Sequence, residues 1–126
     1  MDSKGFQLYK EQSVNTMTPG ELLLLLYDEL VKHLTRAEIA LDKKDYAILE
    51  QSVEKSLQII RYLDSTLDRK YEISGQLTKL YDYFCYELSR VKLGHNKTEL
   101  ERTKKMIVEL RESFRTADKN TASAGK

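Results

Sequence analysis

The chain has no tryptophan, one cysteine, one proline and two histidines, and its five glycines are scattered rather than gathered into a loop. Each shortage excludes something. Cys85 alone cannot close an intramolecular disulfide, so the core must hold the fold, and a reducing compartment, the cytoplasm, is the simplest setting. Without a glycine-rich phosphate loop there is no cradle for a nucleotide. His33 and His95 make a poor metal set. A carboxylate-bridged di-iron bundle needs Glu-x-x-His pairs, and the positions three before each histidine are Leu30 and Lys92. Cys85 has no His or Asn near it in sequence to make it a nucleophile. Neither a metal, a cofactor nor an enzyme activity is expected.

Long apolar runs are missing too. Nothing approaches the roughly 18 apolar residues of a membrane span, and the polar start of the chain does not resemble a secretory signal. Nor is there an excess of charge of one sign. The 21 basic and 20 acidic residues leave a net charge of +1, which argues against nucleic acid and against an anionic membrane as partners.

What remains is a chain rich in Leu, Lys, Glu and Tyr, the composition of a helical protein. Apolar residues recur at steps of three and four in four segments. The first is Leu23, Leu26, Leu30, Leu34, Ala37 and Leu41; the second is Tyr46, Leu49, Val53, Leu57, Ile60, Leu63 and Leu67. The third is Ile73, Leu77, Leu80, Phe84, Leu88 and Val91; the fourth runs from Leu100 through Ile107 and Leu110 to Phe114. Thr18-Pro19-Gly20-Glu21 is a helix start, with Thr18 as N-cap, Pro19 in the first position and Glu21 closing a capping box. Thr98 to Glu101 looks like a second such box, and Gly94 like the stop of the third helix. The pattern predicts an all-α fold, an antiparallel up-down four-helix bundle over residues 18–117. Residues 1–17 form an arm or a short extra helix, and 118–126 a disordered tail.

Two segments carry more apolar surface than one bundle stripe can use. Leu22 to Leu26 is five leucines in a row, and at 100° per residue they sweep more than a full turn. Tyr81 to Tyr86 likewise points aromatic or apolar groups almost all round. A large apolar side chain left in water forgoes roughly 1.5–3 kcal/mol. Two surplus faces on one small bundle therefore suggest a groove for an added helix. Phe6, Leu8 and Tyr9 in the arm could lie over the same surface.

Taken in order, Thr18-Pro19-Gly20-Glu21-Leu22, Leu26-Tyr27-Asp28, Lys44-Asp45-Tyr46 and Leu80-Tyr81-Asp82-Tyr83 resemble the flagellar secretion chaperone family, FliS. The likeness covers about residues 9–117. Two departures accompany it. Lys70-Tyr71-Glu72-Ile73 stands where the family often has Gly-Gly-Glu-Ile, and Phe114 is the nearest aromatic to the place of a frequent tryptophan.

The resemblance implies a cytoplasmic, ATP-independent export chaperone. Such a protein binds the disordered C-terminal segment of flagellin, prevents premature polymerisation and delivers its client to the flagellar type III export apparatus. Its partners would be that segment and the cytoplasmic domain of the export gate. On this basis the client-binding residues are expected among Leu8, Tyr9, Leu22, Leu24, Leu25, Tyr27, Leu80, Tyr81, Tyr83 and Phe84. Two other readings stay open. One is a bundle that self-associates through its leucine run and acts as a structural or signalling adaptor, and weak self-association is compatible with either function. The other is a phosphorelay domain using His33, which lacks that family's usual surroundings.

Overall fold

The computed structural model describes residues 16–124 of the chain. Four helices follow one another: α1 Pro19–Asp42, α2 Tyr46–Ser65, α3 Glu72–Gly94 and α4 Lys97–Ala124. Each packs on its neighbour in sequence, and α4 closes back on α1, so the four form a ring with α1 diagonal to α3. The ion pairs establish direction. Along α1, Asp28, Glu38 and Asp42 meet Arg111, Lys104 and Lys97 of α4 in descending order. Glu87 and Arg90 of α3 meet Arg102 and Glu99 in the same sense. The architecture is the antiparallel four-helix bundle expected from the apolar ladders.

Local chemistry sets most helix ends. The Thr18 hydroxyl accepts the Glu21 backbone N–H at 3.1 Å and donates to the Glu21 carboxylate. Between α1 and α2 the chain turns in three residues. Lys44 takes the left-handed conformation (φ 58°), its N–H bonds the Leu41 carbonyl, and the Asp45 N–H bonds the Ala40 carbonyl at 2.8 Å. These two bonds close the first helix. Asp45 at once opens the next, its carboxylate accepting the Ile48 N–H at 3.2 Å.

Three boundaries differ from the sequence reading. Gly94 remains helical, and the left-handed residue that ends α3 is His95 (φ 55°), whose N–H bonds the Val91 carbonyl. The His95 ring stacks on Tyr46, centroids 4.0 Å apart, and that tertiary contact accompanies a conformation glycine would adopt more easily. The N-cap of α4 is Asn96, not Thr98: its side-chain oxygen accepts the Glu99 N–H at 3.0 Å. Finally, α4 runs on to Ala124 through most of the expected disordered tail. Asp118 there lies against Gly20 in the first turn of α1, where a larger residue would collide with its carboxylate. An acidic group at a helix N-terminus is favourably placed against the helix dipole. Residues 1–15 of the expected arm lie outside the described residues.

The core follows the ladders closely. Leu30, Leu34 and Ala37 of α1, Leu49, Val53 and Ile60 of α2, Phe84, Leu88 and Val91 of α3, and Leu100 and Ile107 of α4 are all buried. Ile73, expected in the third ladder, is 60% exposed, because it sits in the first turn of α3 at the open end of the bundle. Leu34→Ala should cost about 2–5 kcal/mol, since its side chain is wholly enclosed. Ile39→Ala, half exposed, should change stability by no more than about 0.5 kcal/mol. Urea denaturation of the two variants checks both values.

Candidate functional site

The beginnings of α1 and α3 and the ends of α2 and α4 share one end of the bundle. A groove of about 350 Å³ opens there. Leu22, Leu23 and Leu26 of α1 form one wall, and Tyr62, Leu63 and Leu67, at and just beyond the end of α2, form another. Ile73, Leu77 and Tyr81 come from α3, and Phe114 closes the set from α4. Most of the lining is apolar or aromatic, with Thr66, Asp68 and Ser74 at its polar edge. A site of this kind binds side chains by excluding water, not by chemistry.

The groove's floor is fixed from beneath. Tyr27 and Tyr81 are buried, and their hydroxyls meet at 2.8 Å between the diagonal helices α1 and α3. The Tyr27 ring also lies against Phe114, centroids 5.4 Å apart. Burial pushes both phenols above their ordinary range. For Tyr27 the neighbouring Tyr81 adds to the effect; for Tyr81 the hydrogen bond with Tyr27 works against it. Around the link between α2 and α3, polar contacts hold the adjoining rim. Ser74 Oγ donates to the Asp68 carbonyl, Thr78 Oγ1 donates to the Asp64 carboxylate at 2.9 Å, and Arg69 bonds Thr78.

The expected site residues separate into four groups. Leu22 lines the groove and Tyr81 forms part of its floor. Tyr27 and Phe84 are core residues with no more than 1% exposure and are not at the surface; Tyr27 supports the floor through Tyr81 and Phe114. Leu24, Leu25 and Leu80 are half-buried and Tyr83 is exposed, all away from the groove lining. Leu8 and Tyr9 lie outside the described residues. The leucine run thus serves several faces, as its spacing requires: Leu23 and Leu26 also pack on the core. The aromatic surplus on α3 is likewise real, with Tyr83 and Tyr86 both exposed and Arg90 set over the Tyr86 ring.

Sequence reasoning missed Tyr62, Leu67, Ile73, Leu77 and Phe114 as groove residues. It assigned four of them to the core by their period, and period alone does not separate the middle of a bundle from its open end. Among the described residues no group of His, Cys, Asp and Glu could hold a metal ion. Burial raises the Cys85 thiol above its ordinary range, the opposite of what a nucleophile needs. No described helix is long and apolar enough to cross a membrane.

Tyr27→Phe should destabilise the bundle by about 1–3 kcal/mol, because it leaves the Tyr81 hydroxyl buried without its partner. Removing both hydroxyls should recover part of that loss in a double-mutant cycle. The same pair sets an alkaline limit. A phenol whose folded pKa lies above the unfolded value of about 10 favours the fold fully below that pH and loses its contribution as pH rises. Stability should therefore be flat with respect to these two groups at neutral pH and fall above about pH 10. Ultraviolet titration should show them ionising only as the chain unfolds.

With the fold and groove in view, comparison with known proteins is direct. The family model for flagellar protein FliS matches residues 2–121. The chain is 30% identical over 112 residues to the flagellar secretion chaperone FliS of Bacillus subtilis, spanning 89% of this chain and 84% of that one. It is 26% identical over 112 residues to the Salmonella typhimurium protein of the same name, spanning 86% and 83%. A crystal structure of a bacterial flagellar chaperone superposes with a TM-score of 0.76 at 18% identity, covering 95% of this chain and 99% of the other, a likeness of fold. The chain belongs to the FliS family of flagellar proteins.

Proposed function

We propose that this protein is a cytoplasmic, ATP-independent export chaperone that binds the C-terminal segment of flagellin. The apolar groove at the end of the bundle, in a chain of this family, is the observation that carries the reading. A monomeric flagellin keeps its assembly segment unfolded, and such a segment can order itself against an apolar surface supplied by another protein. Folding and binding are then one event. The ordering entropy opposes it, and roughly 1.5–3 kcal/mol for each large side chain withdrawn from water favours it. A few such anchors suffice for a complex that protects its client and still lets go.

In this reading Leu22 and Tyr81, with Ile73 and Leu77, receive one apolar turn of the client. Leu24, Leu25, Leu80 and Tyr83, spread over other faces, receive further parts of a segment that wraps the bundle. Leu8 and Tyr9, also proposed to meet the client, lie outside the described residues. Tyr27 keeps the floor rigid, and Phe84 belongs to the core. The loaded chaperone then passes flagellin to the cytoplasmic domain of the export gate. Weak self-association would use the same apolar surface and compete with the client.

Calorimetric titration with a peptide covering the C-terminal helical region of the same organism's flagellin tests the proposal. One-to-one binding with a large negative heat-capacity change is expected. Ile73→Asp and Tyr83→Asp each change an exposed side chain, so the variants should fold and bind about tenfold more weakly or worse. Folded variants that bind like the parent would overturn the residue assignment. A tight dimer closed to the peptide would favour the self-associating adaptor, and a folded monomer that ignores the peptide would remove the client reading altogether.

A further inference from the structure

A second groove, of about 370 Å³, lies on the outer side of α1 towards its C-terminal end. Its apolar floor is Ile39 and Ala40 of α1 with Ile48 of α2, and Ile39 is 51% exposed. Its rim is basic: Lys32, Arg36 and Lys43. With Ile39 these follow at steps of four, three and four, which places them along one stripe of the helix.

Most charges of α1 are divided by side, with Glu29, one turn before Lys32, the exception on the basic side. On the side facing α4, Asp28 pairs with Arg111 and Arg115, Glu38 with Lys104 and Asp42 with Lys97. The three cations of the groove pair with no carboxylate among the described residues. Asp45 also borders the groove, but its carboxylate is engaged as the cap of α2. His33 reports the same field. Burial holds it below its ordinary range, Glu29 opposes that, and Lys55, Lys32 and Arg36 reinforce it.

We propose that this basic-rimmed groove docks an acidic amphipathic helix of a second protein, one other than the client. Carboxylates one turn and then two turns apart on such a helix match Lys32, Arg36 and Lys43, and an aliphatic side chain between the last two covers Ile39. The stripe from Lys32 to Lys43 is about 16 Å long, three turns of a docked helix. Nucleic acid fits less well. The lining has no aromatic group for a base to stack on, and an isoleucine floor offers nothing to phosphate. The surface is distinct from the terminal groove, which uses the first turns of α1, and the inference does not rest on the client reading.

Nuclear magnetic resonance titration of the full chain tests it, with a helix-constrained peptide of about four turns as the probe. The probe carries Glu at i and i+4 and Leu at i+3 in each repeat. Shifts should centre on residues 32–48, and affinity should fall as salt is raised. Lys32→Glu with Arg36→Glu should weaken binding at least about tenfold, and the peptide with Gln for Glu should bind similarly poorly. Ile39→Ser, which leaves the charges in place, should also weaken it. The shifts should persist with the terminal groove occupied by flagellin peptide, or, if that peptide does not bind, in the free protein. Absence of binding, equal binding of the Gln peptide, or shifts confined to the terminal groove would each overturn the proposal. So would the same residues responding more strongly to anionic vesicles or to single-stranded RNA.

Discussion

Tyr27 and Tyr81 meet through their hydroxyls across the diagonal of the bundle, and the groove end is arranged around that contact. A buried phenol needs a partner for its oxygen, and each of these has the other. Two large rings therefore lie between α1 and α3 where four helix ends converge, with Phe114 against one of them. The leucines and tyrosines above this layer have no further layer of the bundle to cover them. They form walls instead of core, and the groove is what remains between them.

Charge contributes to arrangement more than to strength. Among the described residues, three of the seven ion pairs between helices join two exposed partners, and such pairs contribute roughly 0–1 kcal/mol each. Their value lies in register. Asp28, Glu38 and Asp42 each find a cation on α4 only when the helices run antiparallel at one offset. Glu87 and Glu99 are nearly buried and share Arg90, with Arg102 completing the set, so slipping α3 against α4 would strand carboxylates in the interior. With Asp28, Glu38 and Asp42 used in this way, the outer stripe of α1 from Lys32 to Lys43 is basic and partly apolar.

A protein that binds its partners through apolar contacts must act through surface it declines to bury. Here that surface comes in separate pieces: a groove at one end, exposed tyrosines along α3, and a basic-rimmed hollow on α1. All of them stand on one core of ladder residues and the Tyr27–Tyr81 pair, so exposed positions such as Ile39, Ile73 and Tyr83 can serve partners without loosening the fold. That separation suits a chaperone, which must remain folded both with and without its client.

The sequence alone determined four helices, their inward faces and the cap at Thr18, because period and capping are local properties of consecutive residues, whereas the cap at Asp45 came from the structure. It also determined that Leu22–Leu26 and Tyr81–Tyr86 exceed one stripe. Only the tertiary structure decided which members of those runs face outward. Tyr81 and Tyr83 are two residues apart, one buried and one exposed, and the difference is which neighbouring helix lies beside each. Local rules placed the end of α3 at Gly94 and the start of α4 at Thr98, whereas His95, stacked on Tyr46, and Asn96 hold those positions. The tail beyond Ala117 looked too polar to order itself, yet α4 continues there, with Asp118 against the first turn of α1. The groove followed the same logic. Ile73 and Leu77 keep the helical period of core residues, but they stand where the bundle ends, and a one-dimensional pattern carries no information about where neighbouring helices stop.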